Sequence, residues 1–121
     1  MRLVASSLSG SAIDHFLERF TLQELFSGVW HRDNAGGVKA IPLAKAMESA
    51  SLRPEHVITL VDEIGGLDVA RALGTNSILM INEYEQGRRL ALYAPTGGIV
   101  SLSELPDAIR LAAESAKLRP R

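Results

Sequence analysis

Six consecutive residues, His56-Val57-Ile58-Thr59-Leu60-Val61, form an apolar, β-branched run that ends abruptly in Asp62-Glu63. Apolar side chains at successive positions fill both sides of a pleat, so the run suits a strand covered on both faces, as in a parallel sheet packed between helices. The following residues agree. Gly65-Gly66 opens a short helix to Leu73, Gly74 stops it, and Ser77-Ile78-Leu79-Met80-Ile81 is the next apolar strand. Strand, helix and strand in that order make a right-handed βαβ crossover.

The same rhythm extends in both directions. Leu3-Val4-Ala5 reads as a strand that breaks into the small, polar loop Ser6-Ser7-Leu8-Ser9-Gly10. Ser11 is placed to cap a helix in which Ile13, Phe16, Leu17 and Phe20 recur at helical spacing. A helical turn over 21–26, a brief strand Gly28-Val29-Trp30-His31 and a loop over 32–37 follow. Pro42 suits the first turn of a helix running through Ala50, with Leu43, Ala46 and Met47 inward and Lys45 and Glu48 outward. Beyond the βαβ unit, 82–89 reads as a polar loop and Leu90 to Tyr93 as an apolar patch. Ile99-Val100 is a short strand, and a final helix runs to about Ala116 with Ile109, Leu111 and Ala112 on its apolar side. Residues 117–121 read as a frayed basic tail. The sequence therefore predicts one α/β domain over 1–121, a three-layer, Rossmann-like parallel sheet. Such sheets bind ligands outside the carboxyl ends of their strands, where Ser6, Ser7, Asp62 and Glu63 fall.

Composition narrows the partners. An apolar fraction of 46% and a charged fraction of 22% are ordinary globular values, so disorder and coiled coil are disfavoured. Thirteen basic against fourteen acidic residues, without a long like-charge block, argue against nucleic acid and against an anionic membrane surface. The chain has no cysteine, so disulfides, thiol nucleophiles and thiolate metal sites are excluded. The apolar start is too short for a signal peptide and no run approaches a membrane span, which makes the cytoplasm the expected location.

Three features carry chemistry: the hydroxyls of Ser6 and Ser7 after the first strand, Lys39 after a glycine loop, and the acidic pair Asp62-Glu63. Hydroxyls bind phosphate oxygens, a lysine neutralises phosphoryl charge, and paired carboxylates hold Mg²⁺. Each has a bland reading beside it, as a turn serine, a solvated lysine or a helix-cap acid. His15, His31 and His56 lack zinc-ligand spacing and read as surface or helix-edge residues. Gly36-Gly37 and Gly65-Gly66 lack nucleotide-loop contexts. Trp30 and Phe26 read as core or interface anchors, and Trp30 beside His31 could also line a pocket.

The stretches LVASSLSG, FLERFTLQELFSGVWHRDNAGGVK and PEHVITLVDEIGGLDVARALGTNSILM, with the ending SLSELPDAI, resemble the second half of a haloacid dehalogenase superfamily hydrolase of the β-phosphoglucomutase-like branch. The resemblance implies that Ser6, or Ser7 if the loop is shifted by one, supplies a phosphate-binding hydroxyl. It implies that Lys39 is the phosphate- and nucleophile-orienting lysine, that Asp62 is one magnesium-binding carboxylate, and that Gly66, Ala70 and Gly74 are the branch's helix signature; Glu63 joins Asp62 as a metal candidate only as the other half of the acidic pair. The departures are as informative. Ala40 stands where proline usually follows the lysine, Val61 where an acid is common, and Glu63 where serine is common. No Asp-x-Asp, the family's source of nucleophile and general acid/base, occurs anywhere in the chain.

The expectation is thus a fold truncated at its amino terminus, without a cap domain, and not catalytic alone because it lacks the acyl-phosphate nucleophile. Magnesium should bind weakly, and a phosphate or phosphorylated small molecule is the expected ligand. The alternative is the carboxyl-terminal half of a Mg-dependent phosphatase or phosphomutase whose Asp-x-Asp strand is supplied elsewhere. The resemblance sets that strand between the Ser6 and Asp62 strands. These two strands should therefore pair directly, or assemble with a second copy or a partner chain.

Overall fold

The computed structural model describes residues 1–117, and the tail expected beyond Lys117 lies outside the described residues. The chain is α/β, every strand ladder is parallel, and two compact units divide it, Met1–Leu52 and Arg53–Arg121. Among the described residues no helix is long and apolar enough to cross a membrane.

In the first unit, β1 (Leu3–Ala5) pairs in parallel with β2 (Gly28–Trp30), Val4 opposite Val29. Between them runs α1 (Gly10–Arg19), which buries Ile13 and Leu17. The expectation that Phe16 and Phe20 join that face is corrected: both are more than half exposed, and their rings meet each other at 4.9 Å. The helix also starts before the expected cap, because the hydroxyl of Ser9, not Ser11, accepts the Ala12 N–H. A 3-10 turn covers Gln23–Leu25. The expected loop over 32–37 contains a short helix, α2 (Arg32–Ala35). Its cap is His31, whose Nδ1 accepts the Asn34 N–H while the Asn34 side chain accepts the His31 N–H. α3 (Ile41–Ser49) carries Pro42 in its first turn and buries Leu43, Ala46 and Met47, as the spacing predicts.

In the second unit, β3 (Ile58–Val61), β4 (Asn76–Met80) and β5 (Gly97–Ile99) form a sheet with β4 in the middle. Central placement explains why Ile78 is fully buried and Leu79 nearly so. α4 (Ile64–Leu73) links β3 to β4 and ends at Gly74, whose φ of 75° is the left-handed conformation that glycine adopts without steric cost. Gly66 lies where the helix closes on β3: a Cβ there would stand 2.7 Å from the Val61 Cβ. The polar stretch expected to be a loop forms α5 (Tyr84–Ala91). Its inward stripe is only Gly87 and Leu90, too narrow to register as periodicity. A 3-10 turn over Leu102–Glu104 leads into α6 (Leu105–Lys117). Ala112 is buried there, whereas Ile109 and Leu111, expected on the apolar side, are 42% and 57% exposed.

Candidate functional site

The Ser6 N–H continues the β1 ladder by donating to the Trp30 carbonyl at 3.0 Å, which fixes where the chain leaves the sheet. Ser6 is half-buried, and its Oγ accepts the Leu8 N–H at 3.1 Å. Its own hydroxyl proton is still available to donate. The exit from β2 ties the same loop down. The Arg32 N–H donates to the Leu8 carbonyl, and the Gly10 N–H, the first of α1, donates to Asp33 Oδ2 at 2.7 Å. A carboxylate at a helix N-terminus is favoured by the dipole. The His31 ring packs where a Cβ on Gly10 would stand, within 2.6 Å, so this glycine is required by close approach.

Lys39 is exposed and reaches this loop through its backbone: its N–H donates to Ser7 Oγ at 2.8 Å. Ser6 and Ser7 are adjacent, so all three residues expected to bind phosphate belong to one hydrogen-bonded loop system of the first unit.

Asp62 and Glu63 end β3 in the second unit, and both are exposed. The Asp62 carbonyl accepts Gln86 Nε2 at 3.5 Å, and Glu63 occupies the N-cap position of α4 without a side-chain capping bond. Glu63 also borders an open cleft of about 280 Å³ with Ile64, Gln86, Arg89, Leu90 and Tyr93. Among the described residues no three His, Cys, Asp or Glu side chains gather into a group able to hold a metal. Magnesium is ordinarily held by one or two carboxylates, with waters and substrate phosphate oxygens completing its octahedron. Asp62 and Glu63 by themselves supply carboxylate oxygens without a third protein carboxylate beside them among the described residues.

Sequence reasoning missed Asp33 and His31 as fixtures of the loop. The signal was His31-x-x-Asn34, a capping box with an imidazole in place of the usual hydroxyl or carboxylate.

A family sequence model described as haloacid dehalogenase-like hydrolase matches residues 3–80. No curated protein matches the chain in sequence. Among solved structures, a haloacid dehalogenase-like family hydrolase from Streptococcus pneumoniae superposes with a TM-score of 0.81 at 17% identity, over 88% of this chain and 51% of its own. A HAD phosphatase from Thermococcus onnurineus gives 0.74 at 17% identity, over 88% and 49%. A HAD-superfamily hydrolase from Ehrlichia chaffeensis gives 0.69 at 14% identity, over 90% and 49%. The chain thus spans about half the length of these structures.

Proposed function

We propose, from the premise that this chain belongs to the haloacid dehalogenase-like hydrolase family, that it is a phosphate-binding domain that is not catalytic alone and acts through binding and assembly. The observation that carries the reading is a mismatch. Ser6, Ser7 and Lys39, which the resemblance assigns to phosphate, belong to one loop system, while the chain contains no Asp-x-Asp. Ser6 donates its hydroxyl proton to a phosphate oxygen, and the Lys39 ammonium balances the anion's charge. Neither group is placed to form an acyl-phosphate, which needs a carboxylate nucleophile. Magnesium at Asp62 and Glu63 would be bound weakly, because both carboxylates are exposed and the Asp-x-Asp carboxylates are absent from the chain.

A second reading is favoured by one specific observation, that the chain spans about half of each solved structure it matches. In that reading it is the carboxyl-terminal half of a Mg-dependent phosphatase or phosphomutase, and a separate segment supplies the Asp-x-Asp strand. Turnover separates the two. The 121-residue chain is expected to hydrolyse p-nitrophenyl phosphate and sugar phosphates at the rate of a protein-free blank, with or without Mg²⁺. Mg²⁺-dependent turnover abolished by Asp62→Ala would overturn the non-catalytic reading and make Asp62 part of a working site.

A further inference from the structure

We propose that Ser7 is the positioning residue for Lys39, holding its backbone in place, and is not itself a phosphate ligand; the inference rests on the reading of Lys39 as an anion-binding residue. Among the described residues four non-glycine residues have positive φ: Thr21, Lys39, Ser51 and Ala94. Thr21, Ser51 and Ala94 each lie just beyond the end of a helix, where the left-handed conformation closes the last turn through a backbone N–H bond. Lys39 is different. It stands two residues before α3, beyond the Gly36 cap of α2, so helix termination does not account for its φ of 61°.

Lys39 is the second residue of a turn that the Ile41 N–H closes on the Val38 carbonyl at 3.2 Å, and a side chain far away in sequence holds that turn in place. The Lys39 N–H donates to Ser7 Oγ at 2.8 Å, across a separation of 32 residues. A lysine resists this backbone region because its Cβ crowds the carbonyl oxygen, so the conformation persists where the surroundings hold it. The Ser7 hydroxyl does so while tying the Lys39 loop to the end of β1. Ser6 and Ser7 therefore have different work. Ser6 Oγ turns back on its own loop through Leu8 and keeps a proton for the anion, whereas Ser7 Oγ is committed to the Lys39 amide.

Two measurements test this on the full chain. In amide hydrogen exchange followed by NMR without phosphate, the Lys39 N–H is expected to be protected. Ser7→Ala should speed its exchange about tenfold, as expected for loss of one hydrogen bond, and Ser7→Thr should restore protection. In titrations with inorganic phosphate, Ser7→Ala should weaken binding about two- to tenfold when Lys39 is present and not at all in a Lys39→Ala background. Ser6→Ala should weaken binding in both backgrounds.

An unprotected Lys39 amide in the wild type would overturn the proposal, as would a Ser7→Ala loss of equal size in both backgrounds. If the wild-type chain binds no phosphate, the anion-site reading fails, and the exchange measurement alone still decides whether Ser7 holds Lys39.

Discussion

Leu79→Ala is expected to lower the unfolding free energy of the Arg53–Arg121 unit by about 3 kcal/mol, a large share of the 5–15 kcal/mol typical of a domain. Leu79 is 2% exposed on the middle strand of its sheet and forms the core cluster with Leu67 of α4 and Leu90 of α5, with Val61 and Ile81 packed against them. Three consecutive elements on one side chain leave little freedom to collapse into the space an alanine would vacate, which is the condition under which leucine truncation is costly. Leu111→Ala serves as the control, because that leucine is 57% exposed and its loss should change stability by less than about 0.5 kcal/mol. Urea titration followed by amide NMR of each unit separates their transitions. A Leu79→Ala effect below about 1 kcal/mol would mean that this cluster does not hold the unit together.

The second large effect is on mass. The purified chain at micromolar concentration is expected to sediment at twice its 13.1 kDa or more. Among the described residues β1 has β2 as its ladder partner and β3 has β4, so each presents a second edge of unpaired N–H and C=O groups. Proteins ordinarily blunt such edges with charge, proline or bulges, yet β3 reads Ile58-Thr59-Leu60-Val61, and Leu60 is 45% exposed. Phe16 on α1 and Phe20 just beyond its end, exposed by 53% and 58%, add apolar surface of the kind that marks an interface. Closed symmetry makes a two-fold dimer the simplest product. A clean 13.1 kDa species, with the amides of β1 and β3 slow to exchange, would contradict assembly.

The βαβ unit was legible because its signals are local and agree with one another: an apolar β-branched run, a helix closed by Gly74, and a second apolar strand. Where local signals were weak or replaced, the reading failed. α5 hides behind a polar surface because a glycine and one leucine make its buried stripe. α2 is capped by a histidine, which does not announce a cap as serine or aspartate does. Periodicity correctly found the helices that hold Phe16, Phe20, Ile109 and Leu111, yet it marks a wider face than the neighbouring layer covers. Ser6, Ser7 and Lys39 were reached through resemblance and chemical type. The bond between Ser7 and Lys39 was not legible, because nothing across a separation of 32 residues encodes which of two adjacent serines turns toward the lysine.

The central claim is that phosphate-binding chemistry persists on this chain in the absence of the Asp-x-Asp nucleophile. Titration with inorganic phosphate monitored by amide NMR tests it most directly. Shift changes should cluster at Ser6, Ser7 and 37–40, saturate with phosphate, and need a clearly higher phosphate concentration to saturate in Lys39→Ala. Shifts scattered over the surface, or a cluster unchanged in Lys39→Ala, would contradict the account.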